Sequence, residues 1–111
     1  MATELTLANL QQRISNLVSE RDWDQFHSPK NLAIALSNEV AELLELYMWS
    51  DEPRKPEEVD KELADVLYYV LLFASKTKID VLQALSEKLA ETEVKYPVEK
   101  FKGNAKKYSD L

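Results

Sequence analysis

The stretch SPKNLAIALSNEVAELLELYMW, residues 28–49, decides the fold because it combines a helix start signal with a helical apolar pattern. Ser28 is a predicted N-cap, and Pro29 follows at the first helical position. No breaker interrupts the segment after Pro29, so it predicts one long helix that ends near Trp49. On a helical wheel, the apolar arc of this helix is centred on Glu39. A carboxylate is therefore expected on the face that packs against the core.

A second predicted helix, over residues 57–76, repeats this arrangement. Glu62 lies at the centre of its apolar arc, and Asp65 lies about 60° away, as Glu42 does from Glu39. Residues three apart lie one turn apart on the same side of a helix. Both acidic pairs are therefore expected to face the core and to converge between the two helices.

The rest of the chain predicts two further helices and a basic tail. The predicted elements are a helix from the N-cap Thr6 to about Asp22, the helix 28–49, a loop over 50–56, a helix from Glu57 to about Lys76, a helix from the cap Asp80 to just before Pro97, and a tail over 97–111. Glycine occurs once and proline four times, too few turn residues for a β-sandwich or barrel. We predict one all-α domain over residues 1–111, built as a four-helix bundle.

Composition excludes several classes of function. Lys and Arg total 14 against 20 Asp and Glu, and the net charge of −6 disfavours binding to nucleic acid or to anionic membranes. The chain has no cysteine, which excludes disulfides and zinc-thiolate sites and is compatible with the cytoplasm. No apolar run approaches the roughly 20 residues that a membrane span needs. We expect a cytoplasmic protein without a membrane partner or an export signal.

The four carboxylates suggest a metal site. Charged carboxylates gathered in apolar surroundings either take up protons or require cations. Oxygen donors without histidine or cysteine favour Mg²⁺ or Mn²⁺. A di-iron site would need Glu-x-x-His pairs, which the single histidine, His27, cannot supply. The alternative is that these acids are ordinary solvated surface residues.

Aromatic residues offer candidate contacts for a nucleobase. Stacking surfaces and hydrogen-bonding groups alternate in one segment between the first two helices, namely Trp23, Asp24, Gln25, Phe26 and His27. Trp49 and Tyr69 are predicted to flank the carboxylates. The alternative for all of these aromatics is packing within the bundle.

The acidic pairs read Glu39-Val40-Ala41-Glu42 and Glu62-Leu63-Ala64-Asp65, and they match the E-x-x-E and E-x-x-D motif of a known family. Along nearly its whole length the chain resembles the MazG-like all-α nucleoside triphosphate pyrophosphohydrolases, most closely their dCTP pyrophosphatase branch. The segment ERDWDQFH at residues 20–27 is similar to the family's base-recognition segment. Tyr96-Pro97-Val98 and Lys107-Tyr108 are similar to its carboxy-terminal signature.

The resemblance implies a MazG fold and a set of site residues. The implied metal ligands, for Mg²⁺ with Mn²⁺ as a substitute, are Glu39, Glu42, Glu62 and Asp65. The implied nucleotide contacts are Trp23, Asp24, Gln25, Phe26, His27, Trp49 and Tyr69. Glu39 or Glu42 would activate the attacking water, since a group one turn from the metal can reach its ligands.

The implied reaction converts a deoxynucleoside triphosphate, dCTP or a modified dCTP, to the monophosphate and pyrophosphate. It would limit particular nucleotides in the cellular pool. The implied assembly is a homotetramer formed from two tight dimers. Two alternatives stand beside this prediction: a broader hydrolase that also accepts dATP or dUTP, and a non-catalytic helical oligomer or nucleotide sensor.

Overall fold

The computed structural model describes residues 4–104. Within that range the chain is helical and contains no strand, which confirms the predicted all-α class. The helices are α1 (Leu7–Glu20), α2 (Pro29–Glu45), α3 (Val59–Thr77), α4 (Val81–Lys95) and the short α5 (Val98–Phe101). The four predicted helices are all present.

Side-chain caps begin three of these helices, as their sequences predict. The cap side chain accepts the backbone N–H of the residue three positions on at 3.1 Å: Asn9 donates to Thr6, Asn31 to Ser28 and Gln83 to Asp80. These bonds satisfy backbone donors that have no partner within the first turn of a helix. They also fix where each helix begins.

The helix α2 ends at Glu45, one turn earlier than the predicted end at Trp49. The carbonyl of Leu46 accepts the backbone N–H of Arg54 at 2.7 Å, a contact from the following loop. Leu46 is also buried, with 5% of its surface exposed. The Leu46 carbonyl thus bonds to the loop instead of to the next turn of a helix, and the chain leaves the axis of α2 at this point.

The other boundaries shift by smaller amounts. Asp22, predicted to end the first helix, has a left-handed backbone with φ of 52°, and α1 stops at Glu20. The first turn of the predicted third helix is a 3₁₀ turn over Pro56–Glu58, so α3 starts at Val59.

The predicted tail contains a short helix, α5, where no periodic structure was expected. The ring of Phe101 packs edge-on against Tyr96 at 4.8 Å between centroids, which gives this turn an apolar contact. The tail residues Lys106, Lys107 and Tyr108 lie outside the described residues.

Two compact units divide the chain, one ending at Ile79 and one beginning at Asp80. In the first unit α3 packs mainly against α2 and also against α1. Its core cluster consists of Val18, Leu32 and Leu72, one residue from each of these helices. The single domain over residues 1–111 stays a prediction.

The second unit carries α4 and α5. On α4, Lys95 and Lys88 approach Glu91 at 2.9 Å and 3.6 Å. The hydrogen bond from Lys95, with the charge of Lys88, lowers the pKa of Glu91.

Across residues 4–104, no helix is both long and apolar enough to cross a membrane.

Candidate metal and nucleotide site

Three carboxylates meet between α2 and α3. Glu39, Glu42 and Glu62, hereafter the acid cluster, each offer an oxygen within 4.8 Å of the others. Leu32 and Leu72 pack together at one end of this helix pair, so α2 and α3 run antiparallel. The central glutamates of the two apolar arcs are therefore brought together, as the helical wheel predicts.

Two oxygens of the acid cluster lack a hydrogen-bond partner. The Oε2 atoms of Glu39 and Glu62 are both buried, and no donor within residues 4–104 reaches either of them. A buried charged oxygen without a partner is costly, whereas a bound cation would compensate it. This donor set, made only of carboxylate oxygens, fits a hard divalent ion such as Mg²⁺.

The electrostatics of the cluster agree with this interpretation. Burial raises the pKa of Glu39, and the adjacent Glu42 carboxylate and the charges of Asp65 and Glu62 raise it further. The pKa of Glu62 is also raised, first by burial and then by Glu42, Asp65 and Glu58. The fold therefore gathers negative charge, and no lysine or arginine among residues 4–104 forms an ion pair with these carboxylates.

Asp65, the fourth predicted ligand, lies outside the group of three oxygens but is close enough for its charge to act on both partly buried glutamates. Asp65 and Glu42 are exposed, which corrects the expectation that both would face the core. Each sits about 60° from the centre of its apolar arc, where the helix surface opens to solvent. The role of Asp65 as a ligand stays a prediction.

Tyr69 lies beside the acid cluster, as predicted. Burial raises the pKa of its hydroxyl, and the charges of Glu39, Asp65 and Glu42 raise it further. Its ring packs edge-on against Tyr68 at 5.0 Å and also contacts the core cluster. Tyr69 is therefore part of the packing and also a neighbour of the carboxylates.

A cavity of about 540 Å³ lies at the end of the α2–α3 pair where Leu32 and Leu72 pack together. Its apolar floor is the core cluster, Val18, Leu32 and Leu72, and its rim is mostly polar. Three residues of the predicted base-recognition segment belong to this rim, namely Asp22, Asp24 and His27. The Nδ1 atom of His27 is buried without a hydrogen-bond partner, so it can bind a polar ligand atom.

Two of the predicted nucleotide contacts, Asp24 and Gln25, form hydrogen bonds within the chain. Both carboxylate oxygens of Asp24 accept hydrogen bonds from Lys76 Nζ, at 3.1 and 3.2 Å. Gln25 Nε2 donates to the backbone carbonyl and to the carboxylate of Asp22, both at 3.1 Å. These polar groups are thus already engaged within the chain.

The remaining predicted contacts are exposed aromatics. Trp23 and Phe26 are 42% and 62% exposed, and the Arg21 guanidinium lies 5.8 Å from the Trp23 ring centroid. Trp49 is 88% exposed and lies beyond the end of α2. Its predicted place on the wheel beside Glu42 is wrong, because the helix ends before reaching it.

A second apolar surface was not predicted from the sequence. Val40 and Leu44 on α2 and Leu63 and Leu67 on α3, hereafter the apolar face, are all about half exposed. They lie about 100° and 140° around their helices from the central glutamates, in the same phase on both. Apolar grooves of about 450 and 520 Å³ run along this surface. The sequence signal for this surface is that the apolar residues of α2 and α3 cover a wider arc of each helix than the part that packs into the core.

The chain is similar to proteins of known activity. It is 37% identical to dCTP pyrophosphatase 1 of Mus musculus over 117 residues, covering 97% of this chain and 69% of the mouse protein. It is 36% identical to dCTP pyrophosphatase 1 of Bos taurus over 119 residues, covering 99% of this chain and 70% of the bovine protein.

A solved structure extends this similarity to the fold. A pyrophosphatase from Archaeoglobus fulgidus superposes with a TM-score of 0.78 at 33% identity, covering 87% of this chain and 97% of that one. The sequence profile of the MazG-like family matches residues 34–111, a range that contains the acid cluster and Asp65. The chain belongs to the MazG-like family.

Proposed function

We propose that this enzyme, a nucleoside triphosphate diphosphatase, converts dCTP or a modified dCTP to the monophosphate and pyrophosphate with the aid of Mg²⁺. The observation that carries the proposal is the acid cluster, with its two buried, unpartnered oxygens. The names of the mouse and bovine relatives support the choice of dCTP. Mn²⁺, which also prefers oxygen donors, would substitute for Mg²⁺.

The proposed metal ligands are Glu39, Glu42 and Glu62, with Asp65 as the fourth. Their support is the shared approach of three oxygens and the charge that Asp65 adds. Mg²⁺ usually keeps several waters and shares its coordination with substrate phosphates, so the cluster would bind it most tightly together with a nucleotide. When bound, the ion neutralises phosphate oxygens and lowers the pKa of nearby water.

The proposed reaction is attack of water on the α-phosphorus. A bond forms between the water oxygen and the α-phosphorus, and the bond from this phosphorus to the bridging oxygen of the β-phosphate breaks. Pyrophosphate leaves with the electron pair. The proton of the water passes to the carboxylate of Glu39 or Glu42, which orients the nucleophile.

The proposed base site is the cavity beside His27. Seven residues of α2 separate Leu32 in its floor from Glu39, a rise of about 10 Å. A nucleotide with its phosphates at the acid cluster can therefore extend its base toward this cavity. The unpartnered His27 Nδ1 would bind the polar edge of the base.

Four aromatic rings are the proposed stacking partners of the base and sugar: Trp23, Phe26, Trp49 and Tyr69. The support for three of them is their exposure, since large exposed rings are available to a ligand or to another subunit. Tyr69 is supported by its place beside the acid cluster.

The proposed assembly is a homotetramer built from two dimers in the cytoplasm. The described residues include only six buried hydrophobic side chains, a small core for an independent subunit. The apolar face continues from the same helices that carry the acid cluster, and a second copy of the chain would cover it. This assembly would place neighbouring subunits beside the site.

The first prediction concerns the products. Phosphorus NMR of dCTP with the enzyme and Mg²⁺ should show dCMP and pyrophosphate. Glu42→Gln should reduce turnover about 100-fold or more, because it removes a carboxylate from the cluster. Glu45→Gln makes the same change on the same helix outside the cluster, and it should retain activity. Orthophosphate as the sole product, or normal turnover by Glu42→Gln, would contradict the proposal.

The second prediction concerns pH and metal removal. Since folding raises the pKa values of Glu39 and Glu62, their stabilising contribution is greatest below the usual value of 4.5 and is lost as pH rises through the raised values. In EDTA, the melting temperature of Glu39→Gln should therefore rise relative to wild type as pH increases. Excess Mg²⁺ should reduce the difference in melting temperature between Glu39→Gln and wild type, because the ion stabilises the wild type.

Thermal melts of the two proteins across this pH range, with and without Mg²⁺, measure both effects. Glu45→Gln is the matched control, and its difference from wild type should not respond to Mg²⁺. If the difference in melting temperature between Glu39→Gln and wild type did not depend on pH, the pKa of Glu39 would not be raised by folding. If Mg²⁺ did not raise the melting temperature of the wild type, the cluster would not bind this ion.

The third prediction concerns assembly. Leu63→Asp should reduce the molar mass measured by light scattering from that of four chains to a smaller species, because it places a charge within the apolar face. Leu5→Asp, at a side chain that is 82% exposed and outside this face, should leave the mass unchanged. A monomeric wild type, or an unchanged mass for Leu63→Asp, would exclude the apolar face as the interface.

A further inference from the structure

One ion pair joins parts of the chain that are far apart in sequence. Lys76 Nζ, in the last turn of α3, lies 3.1 and 3.2 Å from the two carboxylate oxygens of Asp24, 52 positions earlier. Among residues 4–104, every other hydrogen bond that a side chain forms within this range spans at most five positions. This contact is therefore the side-chain clamp between α3 and the connection from α1 to α2.

The clamp holds a segment that is compact in itself. Asp24 begins a 3₁₀ turn over Asp24–Phe26, and its carbonyl accepts the backbone N–H of His27 at 3.0 Å. The preceding residue, Trp23, donates its backbone N–H to the carbonyl of Val18 at 3.1 Å. Asp24 follows Trp23 directly in the chain and accepts the His27 N–H, so its position influences where both residues lie.

The clamp also forms part of the cavity wall. Lys76, Asp24 and His27 all line the cavity of about 540 Å³. Both carboxylate oxygens of Asp24 face the Lys76 ammonium, so this side chain is engaged before a nucleotide binds. A base contact by Asp24 would have to compete with that ion pair.

The ion pair has little value as a source of stability. The side chains of Lys76 and Asp24 are 33% and 69% exposed, and exposed pairs contribute little to the free energy of unfolding. A contact of this kind can still select one position of a short connection, because it limits the conformations of that segment before binding.

We propose that Lys76 is a positioning residue for nucleotide binding, which acts through Asp24 to hold Trp23 and His27 at the cavity. In this account Asp24 belongs to the clamp and does not read the base. The inference rests on the proposed function, because it assumes that the nucleotide base occupies this cavity.

A double-mutant cycle on dCTP hydrolysis tests the clamp. Lys76→Met and Asp24→Asn should each raise KM about three- to fivefold, with the double variant no worse than either, because both remove one interaction. The kcat values should stay within about twofold of wild type, since the clamp does not touch the reacting atoms. Lys76→Arg should restore the wild-type KM.

The matched control is Lys30→Met, which removes an exposed lysine that makes no ion pair with another described residue. Its KM should equal that of wild type. A normal KM for Lys76→Met would overturn the inference. So would a double variant whose KM increase is the product of the two single increases, because Asp24 would then contact the nucleotide independently.

Fluorescence without nucleotide separates this inference from the proposed function. In a Trp49→Phe background, Trp23 is the only tryptophan, and Lys76→Met should change its quenching by acrylamide whereas Lys30→Met should not. Unchanged quenching would overturn the clamp even in an active enzyme. A wild type that does not hydrolyse dCTP would overturn the proposed function, and the quenching result would still decide whether Lys76 positions the segment.

Discussion

The contact between α2 and α3 holds like charge at its centre, and the candidate site depends on this arrangement. Glu39 and Glu62 occupy the centres of the faces that pack α2 against α3, and each has one buried oxygen without a partner. The apolar residues of α2 and α3 recur at helical spacing on either side of these glutamates, so the packing of the two apolar faces brings the carboxylates together. The packing of α2 against α3 therefore also buries carboxylate oxygens that a bound cation would stabilise.

The same two helices carry three features, the acid cluster, the cavity and the apolar face, at different positions along and around their axes. The acid cluster lies where the central glutamates meet, and the cavity lies near Leu32 and Leu72. The apolar face lies about 100° to 140° around each helix from the glutamates. In the proposed enzyme, phosphate chemistry, base binding and subunit contact would all depend on the packing of α2 against α3. A substitution that shifts this packing would thus affect all three.

Helical periodicity and cap residues were enough to predict the four long helices, three of their side-chain caps and the meeting of Glu39 with Glu62. It did not predict features that depend on contacts distant in sequence. The early end of α2 follows from the hydrogen bond between Leu46 and Arg54, and the engagement of Asp24 follows from Lys76. The helical wheel gives the angle at which Glu42 and Asp65 leave their helices, but it does not show how much of each helix the neighbouring helix covers. The exposure of these two residues was therefore not predicted. The apolar face was visible in the pattern, but no single chain shows what covers it.

Anomalous diffraction from crystals grown with Mn²⁺ and a non-hydrolysable dCTP analogue tests the central claim most directly. The account predicts an anomalous peak within bonding distance of Glu39, Glu42 and Glu62, with the phosphates of the analogue on the same ion. A peak bound elsewhere, or an analogue seated away from these carboxylates, would contradict it.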